Sequence, residues 1–114
     1  MSYRDLTPQE AHDELTAAAS DPESAAKPKL LDVRTQPEYN SHRLADATLL
    51  PVQELQQRIG ELDAQENWFV YCEHGVRSVA ACEFLAANGF ANVTNIRGGM
   101  AHWAAAGMPY ERGR

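Results

Sequence analysis

The residue with the most chemistry to offer is Cys72, which opens the run Cys72-Glu73-His74-Gly75-Val76-Arg77-Ser78. It directly follows Trp68-Phe69-Val70-Tyr71, an apolar run without alternation, as in a strand covered on both faces. A helical pattern begins at Ser78. Cys72 thus stands at the carboxyl end of a strand and in front of a helix, where open α/β sheets place their sites. An ordinary thiol, with pKa ~8.5, is only a few per cent ionised at neutral pH. A curled loop of free N–H groups at a helix terminus favours the anion, and Gly75 supplies the backbone freedom for that curl. The same position also suits a small buried hydrophobe, a common fate of free cysteine.

The neighbours divide by chemistry. Arg77 adds positive charge near a thiolate, while Glu73 opposes one and is expected to face solvent. Ser78 fits a helix cap, with a hydroxyl that can also turn to the sulfur. His74 lies inside the loop. Cys72 and His74 form a Cys-x-His pair without a second ligand pair nearby, so no metal and no cofactor are expected. His12, His42 and His102 have no motif around them. Cys82 shares a helix face with Val79, Leu85 and Ala86, which reads as core. A resolving role for it requires a sulfur–sulfur approach that sequence does not show.

Several elements must position this loop. Thr7-Pro8-Gln9-Glu10 predicts a helix start with a capping box, followed by Ala11, Leu15, Ala18 and Ala19 on one face. Residues 29–33 read as a strand, 37–41 as a short helical turn and 48–50 as a second strand. Val52, Leu55, Ile59 and Leu62 mark an amphipathic helix with Gln53, Gln56, Gln57 and Arg58 on its wet side. A helix at 78–88 stops at Gly89, a strand covers 92–96, and a last helix runs through Trp103 to Gly107. Strands alternating with helices predict an α/β fold with a parallel sheet.

Composition narrows the function classes. The 114 residues suit one domain, 1–114, and 44% apolar residues suffice for a core. The stretch 20–28 is linker-like but short enough for a surface loop. A net charge of −6 with no Lys/Arg stripe argues against nucleic acid. Two cysteines exclude a multi-bridge disulfide framework and a four-cysteine zinc site. There is no secretory signal at Met1-Ser2-Tyr3-Arg4-Asp5 and no membrane-length apolar run, so a cytoplasmic, soluble protein is expected.

Taken in order, Leu31-Asp32-Val33-Arg34, Pro37-Glu38-Tyr39, Ala47, Pro51, Cys72…Arg77-Ser78, Gly89-Phe90, Asn92-Val93, Gly98-Gly99, Trp103 and Gly107 resemble a rhodanese domain. The loop at 72–78 resembles those of small single-domain thiosulfate sulfurtransferases. The resemblance implies a five-stranded parallel sheet flanked by helices on both faces, with residues 73–78 as a substrate-binding cradle around a catalytic Cys72. It implies that Cys72 takes a sulfane sulfur from thiosulfate or a persulfide, then passes it to cyanide, a thiol or a protein acceptor. Arg77 falls on the last cradle position, where it attracts an anionic donor, holds the loop through carbonyl contacts, or is simply solvated. Asp32, Arg34 and Arg43 are further candidates for the rim, with a structural ion pair such as Arg34–Glu38 the favoured role for Arg34. There is one departure. Many relatives carry Gly-His-Ile-Pro-Gly-Ala where this chain has His42-Arg43-Leu44-Ala45-Asp46-Ala47, so Arg43 replaces a His and Asp46 a Gly.

Two other readings fit the same loop. A relay or non-catalytic module would bind a protein partner in sulfur trafficking, and only its acceptor distinguishes it. Phosphatases and arsenate reductases also use Cys, a nest and Arg, but with Cys-x5-Arg spacing. Four residues separate Cys72 from Arg77, making a tighter cradle suited to one sulfur.

Overall fold

Thr7 starts the first helix through the predicted capping box. Its hydroxyl accepts from the Glu10 N–H at 3.1 Å, and Glu10 Oε1 accepts from the Thr7 N–H at 2.9 Å. Ahead of it lies β1 (Arg4–Leu6), and the helix itself is α1 (Pro8–Ser20). There follow β2 (Lys29–Asp32), α2 (Gln36–Ser41), β3 (His42–Arg43) and β4 (Thr48–Leu49). Then come α3 (Leu55–Arg58), β5 (Trp68–Tyr71), α4 (Val76–Ala87), β6 (Val93–Ile96), α5 (Gly99–Ala105) and β7 (Glu111–Arg112). The structure, a computed structural model, describes residues 3–21 and 27–113. Most of the loop read at 20–28 therefore lies outside the described residues.

The main sheet has five parallel strands in the order β1-β6-β5-β2-β4, the architecture the resemblance implies. Its centre is β5, whose four residues are all buried, as an unalternating apolar run requires. Successive side chains leave opposite faces. Val70, opposite Leu31, joins a core with Ala81, Cys82 and Leu85 of α4 and with Leu55 and Leu62. Phe69 and Tyr71 enter a second core with Ala11 of α1 and Met100 and Trp103 of α5. Each large apolar side chain so buried contributes about 1.5–3 kcal/mol. Two filled faces hold β5 in place, and with it the position of Cys72.

Three elements differ from expectation. The amphipathic helix at 52–62 is broken into a 3-10 turn (Val52–Glu54), α3 and a second 3-10 turn (Ile59–Glu61). Gly60 weakens a continuous helix there, and the tighter turns still bury Leu55 and Leu62. The edge strand β1 carries only Leu6 as an apolar residue, so no hydrophobic pattern marks it; β6 supplies its hydrogen bonds. The small antiparallel pair of β3 with β7 joins segments about 70 residues apart, beyond the reach of local pattern.

Candidate active site

At the end of β5 the chain curls through residues 72–75 and enters α4 at Val76, two residues earlier than its pattern suggests. Gly75 is the cap, at φ 96° and ψ −3°, a left-handed conformation that glycine adopts without steric penalty. Ser78 is therefore in the first helical turn and does not cap. This matters because first-turn N–H groups have no partner within the helix.

Those groups meet the sulfur. Cys72 Sγ accepts from the Gly75 N–H at 3.0 Å and from the Ser78 N–H at 3.3 Å. As a thiol it also contacts Ser78 Oγ at 3.5 Å; in a thiolate the serine hydroxyl becomes the donor. The sulfur's residue is 1% exposed and Ser78 is fully buried, so these bonds operate with little competition from water. Within the loop, His74 and Val76 are exposed, Val76 at 79%.

The charged residues are arranged differently from expectation. The pair Arg34–Glu38 does not form. Arg34 instead grips Asp32, with Nη2 donating to Oδ2 at 2.7 Å and Nε to Oδ1 at 3.0 Å. It also donates to the His42 carbonyl at 2.6 Å and to Glu73 Oε1 at 3.1 Å. Asp32 and Arg34 are both fully buried, so neither sits on the rim. Burial opposes the charge of Arg34, but the Asp32 carboxylate overrides it and holds the guanidinium protonated. Glu73 is turned onto Arg34 and is half-buried rather than facing solvent.

Glu38 pairs with Arg77. The two lie as a fork, Nη1 to Oε1 at 2.8 Å and Nη2 to Oε2 at 3.0 Å. The arginine's hydrogen bonds hold the Glu38 carboxyl down at about 2, against the opposing pull of burial. Thr35 supports it, donating its N–H to Glu38 Oε1 at 2.9 Å in the capping box of α2. Arg43 donates to the carbonyls of Tyr39 and Gly113 and faces Glu111, which ties the C-terminal strand to α2. Cys82 is buried in the core below, where burial pushes its thiol up to about 12. Glu38 and Gly98-Gly99 belong to the motif read in the sequence, but three contacts near the loop had no sequence signal. Glu38 is 39 residues from Arg77, Gly99 packs on the Cys72 carbonyl, and the His102 ring packs against Gly98.

Residues 8–106 match the family model described as Rhodanese-like domain. The chain belongs to that family. A sulfurtransferase of Allochromatium vinosum is 36% identical over 80 residues, covering 70% of this chain and 75% of that protein. The thiosulfate sulfurtransferase GlpE of Actinobacillus succinogenes is 32% identical over 97% of this chain and 93% of its own. Among solved structures, a rhodanese-related protein from Thermoplasma volcanium superposes with a TM-score of 0.82 at 28% identity, over 96% and 98% of the two chains. Against the rhodanese pattern, the 42–47 departure is accommodated locally. Asp46, standing at a glycine position, takes φ 63°, which Asp tolerates better than most residues. No helix among the described residues is long and apolar enough to cross a membrane.

Proposed function

We propose that this rhodanese-like chain is a sulfurtransferase that carries sulfane sulfur as a persulfide on Cys72. One observation carries the reading: a buried cysteine sulfur at a strand end accepts two backbone N–H bonds, from Gly75 and Ser78, with a hydroxyl alongside. Such a nest stabilises an anion at the sulfur before and after loading. In the first displacement the Cys72 thiolate attacks the outer sulfur of thiosulfate or of a persulfide. A new S–S bond forms, the donor's S–S bond breaks, and sulfite or a thiolate leaves with the electron pair. In the second, cyanide, a thiol or a protein acceptor attacks the terminal sulfur, and Cys72 departs as thiolate. Splitting one transfer into two displacements is the gain from covalent storage. No metal or cofactor enters either step.

His74 and Val76, the exposed residues of the loop, meet the acceptor. A relay module would use the same chemistry with a protein thiol as that acceptor. The phosphatase reading is disfavoured because both Nη atoms of Arg77 are engaged by Glu38 and are not presented to an oxyanion.

Intact-mass measurement after incubation with thiosulfate, or with an organic persulfide, tests the reading. The expected gain is one sulfur atom, mapped to Cys72, discharged by cyanide as thiocyanate and absent in Cys72→Ser. Failure of every sulfane donor to load the protein would exclude the carrier role and leave a binding module.

A further inference from the structure

The Cys72 loop does not hold its shape alone. Two of its carbonyls are caught by the first turn of α5: the Met100 N–H donates to the Cys72 carbonyl at 2.8 Å, and the Ala101 N–H to the Glu73 carbonyl at 3.0 Å. Each satisfies an otherwise free N–H of that helix. The consequence for the loop is directional. With the Cys72 and Glu73 oxygens pinned on α5, the N–H groups of Gly75 and Ser78 are left to converge on the sulfur. A peptide flip in this curl would turn a carbonyl oxygen toward the thiolate and replace attraction by repulsion.

Contact this close requires the absence of a side chain at one position. A Cβ on Gly99 would lie 2.2 Å from the Cys72 carbonyl oxygen and 2.8 Å from both the carbon and the oxygen of the Glu73 carbonyl. These are backbone atoms of the loop itself, so relief means moving the loop. Gly99 also sits at φ 63°. We infer that Gly99 is a positioning residue of the transfer site: it lets α5 dock backbone to backbone on the Cys72 loop and so aims the N–H groups at the sulfur. The inference rests on Cys72 being the sulfur carrier.

Gly107, at the far end of α5, provides the control. It has φ 79°, yet nothing lies within 4 Å of a Cβ built there. Gly99→Ala and Gly107→Ala therefore share the conformational strain, and only the first disturbs the loop. The experiment compares two rates and one temperature in both variants and the parent: persulfide loading from thiosulfate by intact mass, Cys72 alkylation at fixed neutral pH, and the midpoint of thermal unfolding. Gly107→Ala is expected to unfold at lower temperature with parental loading and alkylation. Gly99→Ala is expected to slow both by about tenfold, the scale of one misdirected hydrogen bond to a charged sulfur. Parental rates in a folded Gly99→Ala protein would overturn the inference. If the parent itself takes up no sulfur, the carrier reading fails, while alkylation still reports whether Gly99 shapes the loop. Amide hydrogen exchange of the parent keeps the test open should Gly99→Ala not fold. Met100 and Ala101 should be protected on the order of a hundredfold. Free exchange at both would show that no such lock exists.

Discussion

Arg77 and Glu38 face each other across 39 residues of sequence as a two-bond fork, at 2.8 and 3.0 Å. The fork joins the first turn of α4, which supplies the Ser78 N–H to the sulfur, to the first turn of α2. Its charge is already answered by a carboxylate, and we propose that Arg77 acts chiefly by holding the cradle in place. Arg77→Ala should lower kcat/KM by about tenfold, the scale of one lost hydrogen bond to a charged group. The loss should be similar for thiosulfate and for an uncharged trisulfide donor, and similarly insensitive to salt. A loss confined to thiosulfate, largest at low ionic strength, would instead show the guanidinium acting on the donor.

The same pair makes a pH prediction. Glu38 falls from its ordinary 4.5 to about 2 in the folded chain, chiefly through Arg77. A depressed carboxyl adds stability that is complete above the unfolded value and disappears as pH falls toward the folded one. The melting temperature should therefore drop between about pH 4.5 and pH 2. Glu38→Gln should be less stable than the parent at neutral pH and show a shallower decline across that window. Parallel curves would remove the Arg77 pair as the cause.

Beneath the loop, Asp32→Asn should be among the most damaging single changes. It leaves the fully buried Arg34 with its charge less answered. Breaking a buried pair in this way typically costs about 3–5 kcal/mol. Urea denaturation reads the loss directly, and a change under about 1 kcal/mol would mean that Glu73 and the His42 carbonyl suffice to hold the guanidinium.

Ser78→Ala separates the hydroxyl from the backbone. The Ser78 N–H to Cys72 Sγ survives the substitution, and only the 3.5 Å hydroxyl contact is lost. Turnover should fall several-fold, in line with about 1 kcal/mol for one hydrogen bond, and persulfide should still form. Complete inactivity would give the hydroxyl a larger share in the transfer than one long contact accounts for.

Cys82→Ala should spare transfer. The side chain is fully buried against Leu85 and Val70, and its thiol is pushed up to about 12 by burial. It is accordingly expected to stay protonated and to alkylate slowly up to about pH 9 in the folded protein. Removing it costs about 1 kcal/mol of stability through a small cavity. An inactive Cys82→Ala protein of normal stability would point to a two-cysteine mechanism.

Much of this protein is written locally. The capping box of Thr7 and Glu10 lies within four residues, and the run 68–71 marks a strand covered on both faces. Cys72, Gly75 and Ser78 sit close enough in the chain that strand end, curl and helix start bring their atoms together. That is why the α/β class, the strand carrying the cysteine and the cradle around it are legible from residue types and spacing. Partner choice is another matter. Arg34 has Glu38 four residues away, yet it takes Asp32 and Glu73, because β2 and β5 are neighbours in the sheet and bring Glu73 alongside. Glu38 is thereby free for Arg77. The docking of Gly99 on the Cys72 carbonyl, and the edge place of β1, likewise depend on which segments the packed sheet sets side by side. Hydrogen bonds within a turn follow from a few backbone angles, whereas ion pairs and backbone contacts between distant segments exist only once both sheet faces are filled.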